Sequence, residues 1–245
     1  MRPSVVVPFR PATVCAKCEQ RAVSVCNTIP DEDLHLLAAA ATTIMVQPGH
    51  GFIEEGEPAS QFYNITAGNA RLFKSLPDGR RQIIGFAGPG TFLGLATQKN
   101  FGFGGEALEP MRVCRFSRAA LGRLMHDFAD LEHRLLEIAS TELVLAQDHM
   151  LLLGRKTARE RVASFLLARA AMATSCPIAP ILSQHRRVAL PMSRSDIADY
   201  IGLTIETVSR TLTRLKADRL IALPDAHSVD LLDPARLKLI ADGEF

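Results

Sequence analysis

At 245 residues the chain is long enough for two domains that each bury a core, and its 47% hydrophobic and 22% charged content excludes a disordered, charge-dominated polymer. A formal net charge of +2 excludes strong overall attraction to nucleic acid, so any basic patch must be local. The first apolar run, Val5-Val6-Val7, breaks at Pro8, far short of an export signal or membrane span, which predicts a cytoplasmic chain with no membrane partner.

In that reducing setting the five cysteines are expected as free thiols, metal ligands or redox groups rather than disulfides. Cys15, Cys18 and Cys26 form a C-x2-C-x7-C run near the front. Thr28-Ile29-Pro30-Asp31 then has the form of a helix start, leading into the apolar, alanine-rich residues 34–41. Between residues 45 and 118 short apolar runs are punctuated by glycine, with Pro77-Asp78-Gly79 as a turn signal, which predicts a compact β-barrel or roll. Cys114 lies at its end. Four thiolates suffice for a [4Fe–4S] cluster, and a pair two residues apart makes a compact loop able to place two sulfurs on it. The same spacing admits a structural zinc site or redox-active thiols. Cys176 stands apart and reads as an incidental loop thiol.

After the roll, glycine becomes scarce and the period turns helical. Leu136, Ala139, Leu143, Ala146, Met150 and Leu153 recur at alternating spacings of three and four, the seam of a coiled coil. A core helix packed on the roll would show a similar stripe. The flanking Leu135, Ile138, Leu145 and Leu152 supply a second face, so one face is expected on the roll and the other on a second copy. Gly154 is expected to interrupt the helix, and Thr157-Ala158-Arg159-Glu160 to cap the next. Residues 174–187, with Cys176, Pro177 and Pro180, read as an exposed loop. The resulting organisation is a sensor segment over residues 1–129, a dimerisation helix over 130–154 and a third domain over 155–245.

That third domain carries the most specific signal. Ser193-Arg194-Ser195-Asp196 caps a short helix that ends at Gly202, and Thr204 caps a second running to about Ala217. Ala198 is small where crossing helices approach, Gly202 permits a positive φ, and Ile197, Ile205, Val208 and Leu212 supply the packing face. Residues 220–223 and 228–231 bracket Pro224-Asp225-Ala226-His227 as a two-stranded wing. Together these make a winged helix-turn-helix in an α+β chain, with double-stranded DNA as partner. Glu206, Ser209 and Arg210 share one face near the start of the second helix, where arginine can bond guanine bidentately, glutamate can accept from cytosine and serine can reach either strand. An ordinary surface ion pair would also place Glu206 and Arg210 four residues apart. Thr204, Thr207, Thr211, Thr213, Arg214 and Lys216 are candidate phosphate contacts.

On Gly202-Leu203-Thr204-Ile205-Glu206-Thr207-Val208-Ser209-Arg210, on Gln147-Asp148-His149-Met150-Leu151-Leu152-Leu153 and on the glycine-punctuated roll, the chain resembles the CRP/FNR superfamily of bacterial regulators, nearest its FNR branch with FixK-like members. The resemblance implies a cyclic-nucleotide-binding-like roll, a TTGAT-N4-ATCAA-like palindrome bound by a homodimer, and transcriptional activation with RNA polymerase as a further partner. It also implies an oxygen-labile [4Fe–4S] cluster on Cys15, Cys18, Cys26 and Cys114, although the second cysteine gap is longer than in the best-known enteric members. Relatives that bind cyclic AMP carry a Gly-Glu-Leu motif and then an Arg-Ser pair on the phosphate. Here the segments read Gly94-Leu95-Ala96 and Phe101-Gly102-Phe103-Gly104-Gly105, so no cyclic nucleotide is expected.

An enzyme is the rival class, since β-rolls also house metal-dependent oxygenases. Those need paired histidines with a carboxylate, whereas His50 near Glu54 and Glu55 has no second histidine, and the chain shows no P-loop or nucleophile elbow. No enzyme is expected. A regulator of the FixK type without a cluster, and a zinc or thiol redox sensor, are the alternatives within the regulator class.

Overall fold

The computed structural model describes residues 15–95, 99–174 and 186–244. The chain forms two compact units, one ending at Leu143 and the other beginning at Val144.

The first unit is a roll of two antiparallel sheets. One contains β1 (Ala41–Val46), β8 (Met111–Ser117), β3 (Gln61–Ala67) and β6 (Phe92–Leu93) in that order; the other contains β2 (Gly51–Ile53), β7 (Gly104–Ala107), β4 (Ala70–Ser75) and β5 (Arg81–Ala87). Gly68 makes the β3–β4 turn with φ at +79°, and a Cβ there would lie 2.6 Å from the Pro110 carbonyl, so only glycine fits.

The alternation of side chains sorts β3 and β8 onto two cores. Tyr63, Ile65, Met111 and Val113 face the interior of the roll with Ile44, Val46 and Phe101. Phe62 and Phe116 face the other way, into a core shared with Val25, Ile29, Leu34, Leu37, Leu121, Leu124, Leu131 and Leu135. That second core is roofed by α1 (Leu34–Ala40), α2 (Arg118–Asp127) and the start of α3 (Ala129–Arg155). The start of α1 differs from the expected form, because Thr28 closes a short 3-10 turn, donating its hydroxyl to the Val25 carbonyl, and a further 3-10 turn over Asp31–Asp33 leads into α1.

In the second unit, α4 (Ala158–Thr174) packs on α7 (Pro234–Asp242), on α6 (Ile205–Ala217) and on β9 (Arg186–Ala189). Between β9 and α7 lie α5 (Arg194–Ile201), α6, β10 (Ile221–Asp225) and β11 (Ser228–Leu231). The strands form a sheet in the order β10-β11-β9.

Several expectations are corrected here. Gly154 does not interrupt the long helix, which runs to Arg155; the capping box after it does form, with Glu160 accepting from the Thr157 N–H at 3.0 Å and Thr157 from the Glu160 N–H at 3.4 Å. Leu145, expected on the same apolar face as Leu135 and Ile138, is 55% exposed, whereas Leu135 and Ile138 pack in the core that holds Leu131. The wing has three strands, since β9 pairs with β11, and Pro224 and Asp225 lie in β10 rather than in the turn. Ile205 is exposed, and Leu215 is buried beside Val208 and Leu212. Most of residues 174–187, with Cys176, lies outside the described residues, as does Ala96.

Candidate functional site

The helix-turn-helix is fixed by local bonds that its sequence supplies. The Ser193 hydroxyl accepts from the Asp196 N–H at 3.1 Å while the Asp196 carboxylate accepts from the Ser193 N–H at 2.9 Å, a reciprocal capping box that starts α5. Gly202 ends it in the left-handed conformation, φ 64°. Thr204 then caps α6, its hydroxyl accepting from the Thr207 N–H at 3.1 Å. Val208, Leu212 and Leu215 are buried on the inner face of α6, and at roughly 1.5–3 kcal/mol for each such side chain this packing, not any surface pair, holds the helix in place.

The outer face of α6 carries Glu206, Ser209, Arg210, Thr213, Arg214 and Lys216, all exposed. Thr207 is half-buried, its hydroxyl 2.8 Å from that of Thr204. Arg210 and Glu206 do form an ion pair, at 2.5 Å, with both side chains more than 70% exposed. Such a pair on a helix surface contributes only about 0.3–0.5 kcal/mol, so it yields readily to stronger acceptors and donors offered by a partner. The face therefore presents a cation, a carboxylate and a hydroxyl on a rigid frame.

Sequence reasoning missed the residue that ties this frame to the end of α3. The Arg161 guanidinium donates to four carbonyls: Ile201 and Gly202 at 3.0 Å each, Leu153 at 2.9 Å and Lys156 at 2.8 Å. Its planar fork of donors suits this joint, which a lysine could not span. Arginine near a capping box is too common a pattern to have been read in advance. Tyr200 adds a second tie, its ring stacked on His149 with centroids 4.3 Å apart. Neither His149 ring nitrogen finds a hydrogen-bond partner, and burial holds its pKa below the ordinary histidine value.

Along α3 the proposed seam is open. Leu136 is 65%, Leu143 60% and Met150 64% exposed, Ala139 and Ala146 are exposed too, and only Leu153 is half-buried. Val144 and Leu151 add to the same uncovered surface.

The four front and roll cysteines come together. Cys15 and Cys18 sit in one turn, with the Cys18 N–H donating to the Cys15 carbonyl at 3.3 Å, and Cys15, Cys26 and Cys114 pack against the core that holds Leu131 and Leu135. Each of the four lies close enough to the other three for their charges to interact. Burial pushes the Cys15 thiol up. It pushes Cys26 up to about 12, against the Ser24 hydroxyl, with the other three thiols adding to the rise. Burial likewise pushes Cys114 up to about 11, against a hydrogen bond from Thr43 and with Cys15 and Cys18 adding to it. Among the described residues no set of three or more His, Cys, Asp or Glu is arranged to hold a metal ion. The thiols are thus gathered without being closed around a point. No helix among the described residues is long and apolar enough to cross a membrane.

Residues 160–240 match the Crp-like helix-turn-helix domain and residues 43–128 the cyclic nucleotide-binding domain. The chain is 40% identical to the nitrogen fixation regulation protein FixK of Bradyrhizobium diazoefficiens, covering 98% of this chain and 99% of that protein. It is 35% identical to the transcriptional activator protein FnrL of Cereibacter sphaeroides, covering 91% and 90%. Among solved structures, FixK2 of Bradyrhizobium japonicum superposes with a TM-score of 0.74 at 37% identity, covering 82% of this chain and 96% of that one.

Proposed function

This chain belongs to the CRP/FNR family of DNA-binding transcription regulators, as an activator of the FNR/FixK type, and on that premise we propose that it is an oxygen-responsive regulator carrying a [4Fe–4S] cluster on Cys15, Cys18, Cys26 and Cys114. One observation carries the reading: three of these thiols pack in the same core as Leu131, Leu135 and Ile138 at the root of α3. The donor set fits the group, being four thiols in mutual reach and two of them on the buried side of the roll. When bound, the cluster supplies the oxygen-sensitive chemistry.

The residues of the chain do the rest. Cys26 and Cys114 must give up protons that burial makes them hold, so ligation is favoured by raised pH and by the metal's own charge. Ligation braces residues 15–26 against β8 and so fixes the surface on which the first turns of α3 rest. Leu136, Ala139, Leu143, Ala146, Met150 and Leu153 then meet the same residues of a second copy. The paired recognition helices, held about 34 Å apart, read the two halves of a TTGAT-N4-ATCAA-like palindrome. Glu206, Ser209 and Arg210 contact base edges, and Thr204, Thr207 and Arg214 the phosphates. Working in the cytoplasm, the bound dimer engages RNA polymerase. No cyclic nucleotide enters this reading, because Phe101, 5% exposed, fills the roll interior and its segment offers no cation for a phosphate.

The test is anaerobic reconstitution with iron and sulfide, read by iron content and visible absorption. Uptake of about four irons per chain, the content of a [4Fe–4S] group, agrees with the proposal. No uptake moves the protein to the cluster-free FixK-type reading, which its 40% identity to FixK over nearly the whole chain favours.

A further inference from the structure

The side chain of Asn64, on β3, is 1% exposed and is no part of the thiol set, yet its amide Nδ2 donates to the Cys26 sulfur at 3.7 Å. Its position follows from the register. Asn64 stands opposite Cys114 on β8, and Cys114 in turn stands opposite Thr43 on β1. The Thr43 hydroxyl thus serves Cys114, and the Asn64 amide joins the Ser24 hydroxyl at Cys26. The other end of the amide is informative. Asn64 Oδ1 is buried without a hydrogen-bond partner. An asparagine kept only to tie the N-terminal segment to the sheet would be expected to satisfy both ends, and a leucine of the same shape would fill the place without a buried orphan. Here only the N–H end is used, and it faces sulfur, which accepts well as a thiolate and poorly as a protonated thiol.

We infer that Asn64 is a positioning residue that donates a hydrogen bond to the Cys26 thiolate in the metal-loaded protein and slows its loss in air. This rests on the cluster reading above. A hydrogen bond to a ligating sulfur stabilises the more negative, reduced form and raises the reduction potential, so removing it makes the group easier to oxidise. Dioxygen is the oxidant.

The experiment compares the full-length parent with Asn64→Leu and Asn64→Asp, two near-isosteric side chains lacking the N–H. Each is reconstituted anaerobically with iron and sulfide, titrated for its midpoint potential, and exposed to air while the visible absorption is followed. The expected result is iron content like the parent's, a lower midpoint potential and roughly 10-fold faster loss in air for both variants. Equal potentials and equal decay rates overturn the inference and leave the cluster reading standing. A parent that takes up no iron overturns both. Thermal unfolding of the metal-free forms guards against a trivial cause: if both variants unfold earlier while the potential of whatever loads is unchanged, Asn64 is structural and the inference falls.

Discussion

The recognition helix and the thiol group solve opposite problems with similar means. On α6 the chemistry is exposed and the support is buried: Arg210 and Glu206 face solvent while Val208, Leu212 and Leu215 anchor them. At the thiols the chemistry itself is half-buried, and burial raises Cys26 and Cys114 further above the ordinary thiol range, to about 12 and about 11. A reading surface has to be available without rearrangement, so its groups stay solvated and cheap to re-pair. The proposed sensor has to change state, so its groups are placed where losing a partner is costly. Helix α3 belongs to both regions, rooted at Leu131 and Leu135 in the thiol core and bonded at Leu153 to Arg161 beside the recognition turn.

The contrast breaks most completely at the seam. Leu143→Glu puts a charge at the centre of the proposed interface and is expected to weaken self-association roughly 100-fold or more, measured by sedimentation velocity, with operator binding falling in step. Unchanged association would remove the seam from α3. Arg161→Ala strips four carbonyls of their shared donor and should destabilise the second unit by roughly 2–3 kcal/mol in urea unfolding, weakening operator binding without altering which bases are preferred. A shifted base preference would instead mean that Arg161 sets the pose of α6.

How much of this was legible in the sequence depends on how local each feature is. The turn of the helix-turn-helix was, because Ser193, Gly202 and Thr204 bond to residues within four or five positions. The end of α3 was not. A glycine inside a helix costs only about 1 kcal/mol, less than Arg161 returns by binding the Leu153 carbonyl and its neighbours, so the helix continues through Gly154. The exposure of Leu145 was not legible, because helical spacing names a face and says nothing of how far along it the covering core extends. The strand β9 was hidden because, of its last three residues, only Val188 is buried and its partner strand lies some forty residues on, at Val229. Asn64 was invisible for a related reason: in Phe62-Tyr63-Asn64-Ile65 it looks like any strand residue until the register sets it opposite Cys114.

Smaller substitutions sharpen the comparison. Arg210→Ala should cost roughly 1–3 kcal/mol per half-site in binding to the palindrome and relax preference at one symmetric base pair, while nonspecific binding persists in a gel-shift series. Equal weakening on every sequence would make it a phosphate contact. At the thiols the expected effect is smaller. Thiols ionise near 9.0 in the unfolded chain but near about 12 at Cys26 and about 11 at Cys114 in the folded metal-free protein. Their contribution is therefore fully present below pH 9 and is lost as pH rises toward the folded values, about 1 kcal/mol per thiol by pH 10. Cys26→Ser should flatten the decline of unfolding free energy between pH 8 and pH 10 relative to the parent. An identical slope would place Cys26 in water.

Operator binding with and without oxygen tests the central claim most directly, using the reconstituted parent beside Cys15→Ser, Cys18→Ser, Cys26→Ser and Cys114→Ser. The account predicts that air weakens binding by the parent roughly 10-fold or more, as a dimer tipped toward monomer loses one half-site, and that none of the four variants responds. An oxygen response of equal size in the parent and all four variants would contradict it.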